Sequence, residues 1–165
     1  MPLLWEGMLD LYAAPGVAGA CIAVQDTCDA DVLLLLTAAL LARSGLRLPP
    51  DLAGRMAAET QEWRSEVVRP LRALRRRWRE RPAAQALRER VKALELDAER
   101  SEVETLQALL DAASPLPRSG PGIELLRANC GALPPGPRHA GADCADALAG
   151  FCSSAAAFLW RETAG

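Results

Sequence analysis

The sequence of 165 residues is long enough to bury one hydrophobic core, and its composition, 50% hydrophobic with only 4% aromatic residues, favours helices over strands. Its formal net charge of −2 excludes the basic overall composition that is typical of nucleic-acid-binding domains. The longest apolar run, residues 32–42, is about half the length of a membrane span, and the first residues lack a secretory signal, so we expect a cytoplasmic protein without membrane contact.

The spacing of apolar residues predicts three helices in the N-terminal part of the chain. Residues 3–14 form an amphipathic helix, and residues 17–26 form a short buried helix rich in small side chains. Residues 30–44 are apolar almost all round, which is typical of a central helix. Asp29 or Asp31 is placed to cap this third helix.

Two longer helices follow a linker at residues 46–50. The fourth covers residues 51–81, with Asp51 as its cap and Pro70 as a kink. The fifth covers residues 82–113, and its apolar pattern shifts by one residue after position 98. The apolar seam of the fourth helix is Trp63, Val67, Leu71, Leu74 and Trp78, and that of the fifth is Leu87, Val91, Leu94, Ala98, Val103, Leu106 and Leu110.

Proline and glycine dominate from residue 114 onward, and this composition predicts mostly loop with two weak helices, at residues 123–130 and 143–160. The sequence therefore predicts an all-α protein, a single bundle of about five main helices over residues 1–113. Residues 114–165 form a Pro/Gly-rich C-terminal extension with one or two short helices.

The cysteines favour neither a disulfide framework nor a metal site. Their number, five, is odd, no two are separated by two residues, and a cytosolic protein keeps its thiols reduced. The nearest set of metal ligands, His139, Asp143, Cys144 and Cys152, lacks the paired spacing of structural zinc sites. We expect no metal and no cofactor.

The most unusual feature is one cationic segment. Eleven of the nineteen basic residues fall between Arg64 and Lys92 beside only three acidic ones, while the regions on either side are acidic. On a helical projection the arginines lie away from the apolar seam and form one face. The residues of this candidate interaction face are Arg64, Arg69, Arg72, Arg75, Arg76 and Arg79.

The arginine face has two structural interpretations. Acidic residues at positions 95–104 and 26–31 are able to pair with the arginines inside the protein, as flanking charges of packed helices do. An exposed face would instead bind a protein partner, a second copy of the chain, or, as the alternative, a nucleic-acid phosphate backbone. In either case Gln25 and Asp26 are expected to form a buried polar network with Arg64 or Arg72.

An enzyme is less well supported. Asp26, Asp29 and Asp31 near an arginine-rich helix have the residue types for a metal-dependent phosphate or diphosphate enzyme, but their spacing is unspecific. The only histidine, His139, lies in a Pro/Gly-rich loop, and no nucleophile with a base is evident. We therefore expect no catalytic residues.

Several motifs in a fixed order resemble a family of short proteobacterial proteins catalogued only as a domain of unknown function. These motifs are Trp5, Leu11-Tyr12, Pro15-Gly16-Val17, Gln25-Asp26, Asp31-Val32 with Leu33-Leu34-Leu35, Trp63-Arg64, Val67-Val68, Pro70-Leu71-Arg72, Leu74-Arg75-Arg76 and the run 92–102. The resemblance covers residues 3 to about 110 and implies a helical bacterial protein with no known activity. Leu33 stands where this family commonly has an asparagine.

The residues and the resemblance together predict a non-enzymatic helical protein in the cytoplasm. Its function is expected to be that of a protein-interaction or adaptor module that uses the arginine face. Phosphate-backbone binding is the alternative function, and metal-dependent phosphate chemistry comes third.

Overall fold

The computed structural model describes residues 4–113, 115–135 and 141–161, and these contain eight α-helices and no strand. The predicted all-α class is confirmed. The helices are α1 Leu4–Ala13, α2 Val17–Cys28, α3 Val32–Arg43, α4 Pro50–Trp63, α5 Arg69–Arg77, α6 Gln85–Ala112, α7 Ile123–Gly131 and α8 Ala142–Leu159. A 3₁₀ turn, Pro82–Ala84, precedes α6.

Local sequence signals set the two ends of the central helix α3. The Asp31 carboxylate accepts a hydrogen bond from the Leu33 amide at 2.9 Å, so Asp31 rather than Asp29 is the cap. Gly45 follows α3 with a φ of 67°, and a Cβ added there would lie 2.8 Å from the carbonyl oxygen of Ser119. The chain therefore requires glycine at this turn.

The predicted fourth helix is divided by a wide turn. It begins at Pro50, so Asp51 lies inside the helix and is not its cap. Proline suits the first helical position because it has no N–H group that would lack a hydrogen-bond partner there. The segment Arg64–Val68 is a π-helix in which the amide of Arg69 donates to the carbonyl of Arg64. This turn directly precedes Pro70, which cannot donate a helical hydrogen bond, and α5 then continues as a regular helix.

The core surrounds α3, which has eight buried residues. Helices α1 and α2 cover it with residues such as Leu11 and Val17, and the second half of α6 contributes Val103, Leu106 and Leu110. The first half of α6 lies outside this core and packs against α5. Together they form an antiparallel hairpin, here called the hairpin and taken as residues 63–102.

The C-terminal segment is more helical than its composition suggested. Helix α7 packs on α3 and α8 packs on α2, and Leu126 and Phe151 are fully buried in the same core. Apolar residues recur on one side of each helix, so the free energy gained by burying them outweighs the tendency of the neighbouring proline and glycine residues to end helices. The domain boundary at residue 113 stays a prediction, but both parts share one core.

Asn129 on α7 connects two segments of the core. It is fully buried, its side-chain oxygen accepts from the Leu48 amide at 2.9 Å, and its nitrogen donates to the carbonyls of Ala38 and Leu46. This side chain satisfies the Leu46 carbonyl and the Leu48 amide in the segment after α3, and it also bonds the Ala38 carbonyl of α3 itself.

The expectation of reduced cysteines is wrong for one pair, because Cys28 and Cys144 form a disulfide. The docking of α8 on α2 brings their Cα atoms within 5.3 Å, although they are 116 residues apart in sequence, where spacing gives no signal. Among the described residues no group of three metal-ligating side chains occurs. His139 lies outside the described residues.

One helix, α8, is long and apolar enough to cross a membrane by length and composition, and the bent pair α1 and α2 would add a second if it were one span. In the structure one side of α8 packs against α2, with Phe151, Cys152 and Ala155 buried.

Candidate functional site

A groove with a volume of about 900 Å³ separates the hairpin from α1 and α2, which meet at an angle of 98°. The hairpin forms one wall and the α1–α2 corner forms the other. All six arginines of the predicted face line this groove: Arg64, Arg69, Arg72, Arg75, Arg76 and Arg79.

The six arginines fall into two groups. The side chains of Arg64, Arg72 and Arg75 are only 18%, 19% and 26% exposed and pair with carboxylates inside the protein. Arg69, Arg76 and Arg79 are exposed along the rim. Internal pairing therefore applies to one half of the predicted face and exposure to the other.

An ion-pair cluster joins α5 to α6 along the groove wall. Arg72 donates from Nε to Glu95 Oε1 at 3.0 Å and from Nη2 to Glu99 Oε1 at 2.6 Å. Arg75 donates through Nε and Nη2 to the two oxygens of Glu95. Because planar guanidinium groups meet carboxylates in fixed geometry, this cluster sets the register of the hairpin.

The two carboxyl groups of this cluster respond differently to their surroundings. Burial alone would raise the pKa of Glu95, but hydrogen bonds from Arg75 and Arg72 outweigh it and the pKa lies below its ordinary value. Burial raises the pKa of Glu99, and the attraction of Arg72 offsets this only in part. Glu95 is thus the firmly ionised partner of both arginines.

A second cluster lies at the base of the hairpin, around the π-helical turn. Arg64 Nη2 lies 2.5 Å from Asp31 Oδ2 and 2.6 Å from the Thr60 hydroxyl, and its Nε donates to Glu102 at 3.2 Å. Burial and the neighbouring Asp31 raise the pKa of Glu102 to about 7, although Arg64 opposes this. One guanidinium therefore serves two buried carboxyl groups, and Glu102 keeps its proton up to near neutral pH.

The rim of the groove carries weaker ion pairs and free cations. Arg69 lies 3.4 Å from Asp29 and Arg76 lies 3.8 Å from Asp26, in both cases with at least half of the arginine side chain exposed. Within the described residues, Arg79 in the turn after α5 has no ion-pair partner although it lines the groove. These charges are available to an incoming anion.

An apolar wall faces these cations. The exposed apolar side chains of the groove are Leu9, Tyr12 and Ile22 on the α1–α2 wall and Leu96 on the hairpin. They are 44%, 40%, 45% and 47% exposed. The sequence did not indicate this wall, because none of these residues lies on the buried side of its own helix. The only sequence signal for an exposed apolar site would have been a large apolar residue among polar neighbours. Single residues of this kind are common on any protein surface, so the signal is not specific.

Comparison with known proteins identifies the family, because residues 3–106 match the DUF2390 family, described as a protein of unknown function. The chain belongs to the DUF2390 family. The resemblance found in the sequence is thereby confirmed, whereas the bacterial origin stays a prediction. No curated protein and no solved structure matches the chain.

The groove falls inside the DUF2390 match. Its lining begins at Trp5 and ends at Glu102, so every side chain in it belongs to the matched residues 3–106. Helices α7 and α8 lie beyond the match and do not line this groove.

Two expected arrangements in the DUF2390 chain are corrected by the geometry. The polar network of Gln25 and Asp26 with Arg64 or Arg72 is not formed, since the Asp26 side chain is 59% exposed and pairs with Arg76. The hydrogen bonds of Arg64 and Arg72 go to carboxylates on α6 and to Asp31, which lie closer to them.

The predicted seam of α6 is correct only in its second half. Leu87 and Leu94 are half exposed, whereas Glu95 and Glu102 are buried beside Ala98. The helix is rotated so that its carboxylates meet Arg64 of the π-helical turn and the arginines of α5, because buried guanidinium groups require charged partners. Apolar periodicity alone did not contain this information.

Proposed function

We propose that this DUF2390 chain is a non-enzymatic protein-interaction module of the cytoplasm, an adaptor that binds an acidic, partly apolar segment of a partner protein in the groove. The observation that carries the proposal is the pairing of exposed cations and exposed apolar side chains on opposite walls of one 900 Å³ groove.

Charge supports an acidic ligand at the rim. Arg64, Arg72 and Arg75 are already neutralised, whereas Arg76 and Arg79 retain donors that face the groove. The Arg76 pair with Asp26 is long and exposed, so exchanging it for a partner carboxylate costs little.

The apolar wall supports a polypeptide with apolar side chains. Leu9, Tyr12 and Ile22 project from the α1–α2 corner at about half exposure, in the manner of helix-in-groove recognition sites. A segment with acidic residues on one side and apolar residues on the other would satisfy both walls at once.

The alternative functions have less support. The exposed apolar side chains Leu9, Tyr12 and Ile22 form one wall of the groove and have no counterpart in a phosphate backbone, whereas a polypeptide can cover them. The carboxyl group with the most perturbed pKa, Glu102, is 1% exposed and paired with Arg64, which supports a structural role over an acid–base one. Asp26, Asp29 and Asp31 each pair with an arginine, where a metal would require them unpaired.

A pull-down with matched charge variants tests the proposal. The chain with Arg76→Glu and Arg79→Glu is compared with the unchanged chain in native lysate, with and without nuclease. We expect a specific protein whose recovery survives nuclease and falls about tenfold or more in the variant, because reversing groove charges repels an acidic segment.

The control carries the same charge change at Arg47→Glu and Arg55→Glu, two exposed arginines outside the groove, and should recover the partner fully. A photo-crosslinking residue at position 22 should capture the same partner at the apolar wall. Crosslinks to nucleic acid in place of protein, or equal loss in both charge variants, would reject the proposal.

A further inference from the structure

The side of the hairpin opposite the groove carries a second surface, here called the back face. It consists of the apolar residues Trp63, Val67, Leu71, Leu74 and Trp78 before the turn and Leu87, Val91 and Leu94 after it. None of these eight side chains belongs to the described hydrophobic core or lines the groove. The apolar pattern that predicted a core seam therefore lies outside the described core, on side chains that are half-buried or exposed.

Helical geometry places the two rows on the same side. At 100° per residue, Leu87 and Leu94 lie about 80–100° to one side of Glu95, whereas Lys92 and Leu96 of the groove lie about 60–100° to the other. On α5, Leu71 and Leu74 lie about 40–100° to one side of Arg75, whereas the groove residues Arg72 and Arg76 lie on the other. The Arg75–Glu95 contact therefore lies between the groove on one side of the hairpin and the back face on the other.

The back face is partly exposed, and a hydrogen bond orders it; its half-buried residues are Val67, Leu71, Leu74, Trp78 and Val91. Trp63, Leu87 and Leu94 are 42%, 49% and 54% exposed. The indole nitrogen of Trp63 donates to the carbonyl of Ala98 at 2.9 Å, which fixes the ring across the base of the hairpin. A fixed, contiguous apolar surface of this kind is typical of a protein interface.

Charges around the back face are separated along its length. Basic residues Arg77, Arg81 and Arg90 lie at the tip of the hairpin, and acidic residues Glu62, Glu66 and Asp97 lie at its base. All six are exposed, and none has an ion-pair partner within the described ranges. The surface therefore has a positive end and a negative end.

We propose that the back face binds a second copy of this chain, with the two hairpins antiparallel. A two-fold axis through the middle of the face would lay the basic tip of each copy on the acidic base of the other, with the apolar rows between them. A parallel arrangement would place like charges together, so the charge pattern selects the antiparallel one. This surface is separate from the groove, and the proposal does not depend on the proposed function.

Sedimentation velocity of the purified full chain tests this proposal. We expect a reversible dimer in the micromolar range and a dissociation constant that rises about 100-fold or more in Leu87→Glu/Leu94→Glu, because carboxylates replace the centre of the interface. The control, Leu9→Glu/Ile22→Glu, changes equally exposed leucine and isoleucine side chains in the groove and should remain dimeric.

A charge exchange tests the orientation. Glu62→Lys/Glu66→Lys should weaken the dimer, and adding Arg77→Glu/Arg81→Glu to the same chain should restore it, because the exchanged charges again oppose each other across the two-fold axis. Circular dichroism confirms that each variant is folded. A chain that is monomeric up to 100 micromolar, equal dissociation in the groove control, or failure of the exchanged chain to recover would each overturn the proposal.

Discussion

At the scale of single residues, Arg64 has the most connected position in the described structure. Its guanidinium contacts Asp31 before α3, Thr60 on α4 and Glu102 on α6, so one side chain joins three segments of the bundle. Two buried carboxyl groups beside one arginine carry an excess negative charge when both are ionised. Burial and the neighbouring Asp31 charge raise the pKa of Glu102 to about 7, so a proton on Glu102 removes that excess up to near neutral pH.

This proton makes stability depend on pH. Because the folded chain holds the Glu102 proton up to about pH 7 while an unfolded carboxyl releases it near pH 4.3, the free energy of unfolding should fall as pH rises through that window. Glutamine can accept from Arg64 and donate to Asp31 at every pH. Between pH 5 and 8 the free energy of unfolding of the unchanged chain should fall by about 2–3 kcal/mol more than that of Glu102→Gln. Urea unfolding at each pH measures the difference.

The matched control is Glu59→Gln on α4, an exposed position, which should keep the pH profile of the unchanged chain. If the free energy of unfolding depends on pH in the same way in the unchanged chain and in Glu102→Gln, then Glu102 does not hold a proton up to about pH 7 in the folded state.

At the scale of elements, the hairpin is held together by charge. Helix α5 has no fully buried residue, and between Gln85 and Asp97 the buried side chain is that of Glu95. Hydrogen bonds from Arg72 and Arg75 to Glu95 and Glu99 connect the two helices instead. Such contacts are directional, so they define one register where an apolar seam would tolerate several.

Removing one arginine should therefore open the hairpin. We expect Arg72→Ala to lower the stability of this element by about 2–4 kcal/mol, because Glu95 and Glu99 then lose a partner while partly buried. Hydrogen exchange should accelerate in residues 69–97 and remain slow in α3.

Arg55→Ala on α4 is the control, since Arg55 is exposed and has no ion-pair partner in the described ranges, and its effect should stay within about 0.5 kcal/mol. Uniform acceleration across the whole bundle in Arg72→Ala would mean that the hairpin does not open separately.

At the scale of the whole molecule, the chain is one core with an attached hairpin. The DUF2390 match ends at residue 106, yet Leu126 and Phe151 beyond it are fully buried among residues of the matched part. The disulfide between Cys28 and Cys144 also joins α2 to α8. The division at residue 113 therefore separates segments that cover each other's apolar surface.

A truncated chain of residues 1–113 tests whether the first part folds alone. We expect it to lose cooperative thermal unfolding and to bind a hydrophobic dye, because the sides of α2 and α3 that contact α8 and α7 become exposed. Adding residues 114–165 as a separate chain should restore part of the transition. A single cooperative transition of the truncated chain alone would establish residues 1–113 as an independent domain.

Much of the local structure could be predicted from the sequence. Apolar spacing located most helices, Asp31 and Gly45 marked the ends of α3, and Pro70 marked the break before α5. All six arginines that the sequence singles out as one group line the groove, while their role in binding stays a prediction. These features depend on neighbouring residues and on the geometry of one helix, which the sequence contains directly.

By itself the sequence determined the helical class, the positions of the helices and the cationic segment. Only the tertiary structure decided which arginines are buried, which acids they meet, and that Leu9, Tyr12 and Ile22 form a wall opposite them. It also decided the pairing of Cys28 with Cys144. The reason is that the rotation of each helix is set by long-range packing and by the partners that buried charges require, and neither is encoded in the periodicity of a single segment.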